Sequence, residues 1–191
     1  MRYWDTPPHA SLVQTTDWLA KMLASSQNGV TEFVMCLRPS ASIPASASAS
    51  ASAGQPHSKP TKFDGLLEAV GKIGIWRDTE IGFLLHHDYW RQGLMREAME
   101  GLLPYYFGAV EQGGIGLEVV TADTDPRNEA TIGFLQGFGF EVTGRKERTF
   151  QVGGDGGEWV DSLYLGLRRE VWLERERTID KRRKGRETLT F

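Results

Sequence analysis

Between Ser11 and Ser25 the apolar residues Leu12, Trp18, Leu19, Met22 and Leu23 fall at mostly helical spacing, and Ser11 stands where an N-cap belongs. Val30 to Leu37 is apolar and partly β-branched, short enough for a strand. Ala69 to Trp76 and Glu80 to His86 read as two strands joined by a turn at Arg77-Asp78-Thr79. A helix is predicted from Leu94 to Phe107, which Pro104 should bend or end. Ile115 to Ala122 is an apolar, β-branched strand, and Arg127 to Gly137 is a helix that opens after Asp125-Pro126 and stops before Gly139. Phe140 to Val152 and Glu158 to Leu167 form a hairpin across the glycine-rich turn at 153–157. The order helix, three strands, helix, strand, helix, two strands predicts an α/β fold, a mixed sheet with helices on both faces.

Composition alters this picture in one place. From Pro39 to Pro60 the chain is almost wholly Ser, Ala and Pro, with a strict Ala-Ser alternation from Ala45 to Ala53. Such a segment has nothing to bury against the entropy of ordering it, so residues 39–62 are expected to be a disordered surface insertion. Elsewhere the 191 residues, 40% hydrophobic and 25% charged, suit one globular domain over residues 1–168 with a charged tail at 169–191. The net charge of −3 gives no electrostatic case for nucleic acid as the main partner. The single cysteine, Cys36, excludes an internal disulfide and a cysteine-rich zinc site; flanked by Met35 and Leu37, it reads as a core thiol. No apolar run approaches the roughly 20 residues of a membrane-spanning helix, and Met1 to Asp5 lacks a signal-peptide core. The expectation is a soluble, cytoplasmic protein.

Residues 86–98, His86-His87-Asp88-Tyr89-Trp90-Arg91-Gln92-Gly93-Leu94-Met95-Arg96-Glu97-Ala98, hold the densest chemical signal. A strand ends, a turn with Gly93 follows, and a helix begins. Backbone N–H groups then converge at the positive end of a helix dipole, which suits a diphosphate. A side chain at Gly93 would obstruct close approach of the backbone. The GxxxxGK[ST] and GxGxxG patterns are both absent. His86 and His87 invite a metal reading, but neighbours on a strand point to opposite faces, and no metal site is expected.

The run from Glu80 to Gly93 resembles the fourth strand and coenzyme A loop of the GNAT acetyltransferases, nearest the branch that acetylates ribosomal-protein N-termini and small amines. Where that superfamily usually shows Arg or Gln, then Gly, then Gly or Ala, this chain has Trp90, Gly93 and the bulkier Met95. A second stretch, Asp125 to Phe140, resembles the segment in which Asn leads a helix that ends in Gly-Phe, here Asn128 and Gly139-Phe140. The resemblance implies a mostly antiparallel sheet flanked by helices, without the first strand and helix that usually precede the Tyr3-Trp4 region. It implies acetyl-CoA as cosubstrate, its pantetheine arm against the backbone of Leu84, Leu85 and His86. Arg91, Gln92, Gly93, Leu94, Met95 and Arg96 would hold the pyrophosphate, Asn128 would meet the pantetheine, and Phe134 would lie against the coenzyme.

Acetyl transfer to an amine needs a neutral nucleophile, a polarised thioester carbonyl and a proton for the thiolate. With an amine pKa of about 10.4, deprotonation at neutral pH costs roughly 4–5 kcal/mol. A carboxylate can take that proton, directly or through water. Glu80 leads the candidates because it opens the strand running to the coenzyme loop, though it could equally pair with Arg77. Glu118 on the next strand is second and Asp123 third. The superfamily's frequent tyrosine acid is replaced by Leu135, while Thr131 stands where related enzymes place a hydroxyl; it could serve the leaving sulfur or cap its helix. A backbone N–H near Leu85 would polarise the carbonyl.

The acceptor is expected to be a small-molecule amine or a protein N-terminus, attacked directly in a ternary complex because neither motif contains a cysteine. The alternative is a non-catalytic acyl-CoA-binding module. The uncovered sheet edge suggests a homodimer. Arg168 to Arg186, which closes with Lys181 to Arg186, reads as a solvated helix and frayed tail, against a basic address or nucleic-acid contact.

Overall fold

A computed structural model describes residues 3, 6–25, 31–37, 68–154 and 156–187, the side chains of 23, 25 and 182–187 excepted; the Ser/Ala segment expected as an insertion lies outside the described residues. The element order is α1 (Leu12–Ser25), β1 (Thr31–Leu37), β2 (Glu68–Arg77), β3 (Glu80–Leu85), α2 (Leu94–Phe107), β4 (Val119–Thr124), α3 (Glu129–Gln136), β5 (Glu141–Gln151), β6 (Trp159–Arg168) and α4 (Arg169–Glu187). The strands form one six-stranded sheet in the order β1-β2-β3-β4-β6-β5. All neighbours are antiparallel except β3 and β4, which run parallel.

Local chemistry starts the first helix. Ser11 Oγ accepts the Gln14 N–H at 3.3 Å and Gln14 Oε1 accepts the Ala10 N–H at 2.7 Å, so two orphan donors are satisfied near the helix start. Trp18 of α1 lies over the Lys72 ammonium at 4.9 Å, which places this helix on the face bearing Lys72 and its neighbour Leu84. Lys72 is ion-paired with Glu32, and both side chains are nearly buried beneath α1.

The opposite face carries Ile73, Ile75, Ile81 and Phe83, and α2 covers it. Tyr105 meets Phe33 edge-on at 6.2 Å, and Met99, Leu103, Tyr106 and Phe107 fill the core. The Tyr106 hydroxyl accepts the Ile75 N–H at 3.1 Å and donates to the Thr31 carbonyl at 3.0 Å, which joins the ends of β1 and β2. Pro104 does not end α2. Its side is exposed, and the buried Tyr106 and Phe107 hold the following turn in place.

Three expectations need correction here. The strand predicted from Ile115 begins only at Val119, because Ile115 N–H and Leu117 N–H are spent on the Tyr105 and Tyr106 carbonyls at 2.9 and 2.8 Å. Glu118 therefore precedes the strand. Cys36 is exposed, since β1 is the sheet edge and the pleat turns Met35 rather than its neighbour toward the core. The charged stretch beyond Arg168 starts with a structural turn: Trp172 is 8% exposed and stacks on Phe107 at 5.3 Å.

Candidate active site

β3 and β4 are in register at a single pair, Glu80 and Thr121, supported by Thr121 N–H donating to the Thr79 carbonyl at 2.9 Å. Beyond that pair the two strands part. His86 N–H donates to the Val70 carbonyl of β2 at 2.8 Å, so the backbone groups of Gly82, Leu84 and His86 turn toward β2. Those of Phe83 and Leu85 turn the other way, into the gap. Of the three residues expected to meet a pantetheine arm through their backbone, only Leu85 is so directed; Phe83, which the sequence did not single out, joins it. The Leu85 carbonyl already accepts the Trp90 indole N–H at 2.8 Å, which leaves its N–H as the group facing the gap.

The chain then folds into a short 3-10 turn, His87–Tyr89, and Arg91 and Gly93 both take left-handed backbone angles, φ 59° and 82°. α2 starts without a side-chain cap, and its first internal bond is Glu97 N–H to the Gly93 carbonyl at 2.9 Å. The N–H groups of Leu94, Met95 and Arg96 thus stand at the open, positive end of a 14-residue helix. Among the described residues, no atom lies within 4 Å of where a Cβ on Gly93 would sit. Glycine is demanded there by the left-handed φ, and the space above it is open to an anion. Gln92 turns its amide back onto the Asp88 carbonyl at 2.8 Å, while Arg91 is exposed. Met95 packs against the core, and Arg96 lies over Phe138 at 5.2 Å.

The two histidines differ from expectation. The strand ends at Leu85 and His87 enters the 3-10 turn, so their rings come together at 4.5 Å instead of pointing apart. With Asp88 they form an exposed group whose ligand atoms lie within 4.8 Å of one another. The opposite-face reason against a metal therefore does not hold here.

α3 forms the other wall of the gap. Asn128 caps it, with Oδ1 accepting the Thr131 N–H at 3.3 Å. Phe134 meets Phe83 of β3 edge-on at 5.4 Å, and Thr131, one turn earlier, lies on the same side of the helix. Leu135, expected where the superfamily often has a tyrosine acid, is fully buried in the core. Asp125 anchors the loop that presents Asn128: its carboxylate accepts the Arg127 backbone N–H at 2.8 Å, Nε at 3.0 and 3.1 Å, and Nη2 at 2.7 Å. Burial pushes the Asp125 carboxyl up, but hydrogen bonds from Arg127 together with its charge outweigh this and hold it below the ordinary carboxylate value.

The carboxylates sort by face. Residues paired across parallel strands share a face, so Glu80, Gly82, Thr121 and Asp123 stand on the α1 side, whereas Phe83, Phe134 and the α2 start belong to the other. Glu80 accepts from Arg77 Nη2 at 2.8 Å and has a 17% exposed side chain. Asp123 accepts the Ser162 hydroxyl at 2.9 Å. Glu118 stands three residues before Thr121, about 10 Å back from where the gap opens. Its side chain is 82% exposed and pairs with Arg169. A separate open depression runs along α4 between Glu170 and Ile179 and carries none of these groups.

A parallel strand pair that parts to expose backbone groups, beside an uncapped helix start and an Asn-led helix, defines an acetyltransferase architecture. The chain belongs to the GNAT acetyltransferase family: the Acetyltransferase (GNAT) domain model matches residues 1–141. Among solved structures, a T. thermophilus protein described provisionally as an acetyltransferase superposes with TM-score 0.63 at 18% identity, covering 95% of this chain and 80% of that one. A ribosomal-protein-S5-alanine acetyltransferase from Vibrio fischeri gives 0.56 at 17% identity over 88% and 80%. A ribosomal-protein-alanine N-acetyltransferase from Brucella melitensis gives 0.50 at 17% over 83% and 79%. Against another acetyltransferase structure the chain spans 55% of that protein's length. No curated protein matches the chain. At these identities the structures establish the fold, and enzymes of the family take their acetyl group from acetyl-CoA. Among the described residues, no helix is long and apolar enough to cross a membrane.

Proposed function

We propose that this protein transfers the acetyl group of acetyl-CoA to a primary amine, either a small molecule or a protein N-terminus, by direct attack in a ternary complex. The observation that carries the reading is the parting of β3 and β4 just beyond Glu80–Thr121, with anion-binding backbone on one face of the gap and carboxylates on the other. Acetyl-CoA supplies an activated acyl group as a thioester. The N–H groups of Leu94, Met95 and Arg96 receive its diphosphate, Asn128 and the gap-facing backbone of Phe83 and Leu85 receive the pantetheine, and Phe134 lines the wall. Leu85 N–H is placed to donate to the carbonyl oxygen as charge develops there. Thr131, on the coenzyme side, donates to the departing sulfur. Glu80, on the opposite face, takes up the proton of the amine through water, and its ion pair with Arg77 orients it. Cys36, on the edge strand, belongs to neither wall of the gap, so no acyl carrier is invoked.

Calorimetry with acetyl-CoA, followed by thioester consumption over a panel of primary amines, tests this. The thioester absorbance is the appropriate readout, because the exposed Cys36 would react with thiol reagents. Glu80→Gln should lower kcat by about 100-fold or more while leaving coenzyme affinity intact. Absence of coenzyme binding would overturn the assignment. Binding without turnover of any amine would favour a non-catalytic acyl-CoA-binding module, consistent with Leu135 in place of the tyrosine acid.

A further inference from the structure

The turn between β3 and α2 gathers three metal-ligating side chains from consecutive residues. A regular strand would send His86 and His87 to opposite faces, but β3 ends at Leu85 and His87–Tyr89 is a 3-10 turn. The two imidazole rings therefore stand 4.5 Å apart, tilted by 34°. Asp88 lies against both, with one carboxylate oxygen 2.9 Å from His87 Nε2 and the other 3.9 Å from His86 Nδ1. Taken as one ligand atom from each residue, the set spans no more than 4.8 Å. A tetrahedral zinc ion with bonds of about 2.0–2.1 Å holds its ligand atoms about 3.3 Å apart. That spacing falls inside the observed range, and the three side chains are exposed, so small side-chain rotations close the set.

The backbone beneath these residues is already fixed. His86 N–H donates to the Val70 carbonyl at 2.8 Å, Tyr89 N–H to the His86 carbonyl at 3.0 Å and Trp90 N–H to the His87 carbonyl at 3.2 Å. The Gln92 amide holds the Asp88 carbonyl at 2.8 Å. An ion would have to order side chains only. The nitrogen lone pairs are also within reach. His86 Nδ1 accepts the Asp88 N–H across a long 3.4 Å, a weak bond that an exposed N–H replaces with water. His87 Nε2 faces an ionised carboxylate, which only accepts, so Nε2 carries a proton there. A metal takes that proton's place as His87 passes to its Nδ1–H tautomer.

We propose that His86, His87 and Asp88 form a surface site for a borderline divalent metal ion of the Zn2+, Co2+ or Ni2+ class, with water completing its coordination. Two imidazoles and one carboxylate suit such ions. Mg2+ and Ca2+ gather several oxygens, and a single carboxylate in a segment that also carries Arg91 and Arg96 does not supply them. The site is independent of the acetyl-transfer reading, which assigns no role to the side chains of His86, His87 and Asp88.

Calorimetric titration of Zn2+ into the full chain, purified without a histidine tag, should give one ion per chain with Kd of about 10 μM or tighter. Mg2+ should bind about 100-fold more weakly or not at all. His87→Ala and Asp88→Asn should each weaken Zn2+ binding by about 10-fold or more, since losing a ligand costs at least what losing an outer-shell partner does. Cys36→Ser should leave it unchanged, and Co2+ bound in place of Zn2+ should show no sulfur charge-transfer band, which excludes the exposed thiol as the source. Circular dichroism checks that the variants fold; Asp88→Asn is isosteric and His87 is 72% exposed, so neither disturbs the core. No Zn2+ binding at millimolar concentration, binding within about 3-fold of wild type in both His87→Ala and Asp88→Asn, or loss of binding in Cys36→Ser overturns the proposal. Each of these results leaves the acetyl-transfer reading standing, because coenzyme A binding is measured without metal.

Discussion

Asp125→Asn probes how the loop before α3 is held. Asp125 is 1% exposed and accepts from Arg127 through its backbone N–H, Nε and Nη2. The asparagine keeps one acceptor for the backbone N–H but turns an amide donor toward Nη2. Hydrogen bonds to charged groups contribute about 1.5–3 kcal/mol each. Arg127 is half exposed and regains water, which discounts the loss, so the expected destabilisation is about 2 kcal/mol. For a domain of this size that lowers Tm by about 4–8 °C. Thermal and urea unfolding at neutral pH measure it, and coenzyme affinity should fall in parallel because Asn128 loses its support. The pH dependence has a definite sign. The folded Asp125 carboxyl lies below its unfolded value, so its contribution is fully present above about pH 3.9 and is lost as pH falls through the lower folded value. The gap between wild type and variant should therefore narrow on acidification. A difference under about 0.5 kcal/mol at neutral pH, or one that widens in acid, would refute the reasoning.

Tyr106→Phe removes a hydroxyl that serves both Ile75 N–H and the Thr31 carbonyl, and should cost about 2 kcal/mol by urea unfolding; a neutral result would mean the strand ends re-pair directly. Gly93→Val places a β-branched residue at φ 82° with open space around it, so strain of about 1–2 kcal/mol should accompany a larger loss of coenzyme affinity than of stability. Lys72→Met or Glu32→Leu alone leaves a nearly buried charge without its partner, costing about 3–5 kcal/mol, whereas the double variant should recover most of it in a double-mutant cycle. Asn128→Ala removes the α3 cap and should cost about 1 kcal/mol in unfolding experiments while weakening coenzyme binding.

The elements were legible in the chain because they depend on neighbours. Helical spacing around Trp18, the Ser11 cap, the turn at Gly93 and the Asn128-led helix are decided within a few residues, and the structure places an element at each. Family membership was legible for the same reason, through two contiguous motifs. The errors fell where distant segments decide the outcome. The strand after Ile115 starts late because α2 carbonyls claim its first N–H groups. Cys36 is exposed because strand order leaves β1 at the edge, and Glu118 lies behind the gap because β4 registers with β3 only at Thr121. Trp172 was hidden among charges until Phe107 gave it a stacking partner. The division of the gap between the face of the α2 start and the face of the carboxylates, and the convergence of Thr149, Ser162 and Asp123, likewise required the register of five strands. Periodicity records which residues prefer to be buried, whereas the partner of each buried or polar group is selected by packing and strand register across the whole sheet.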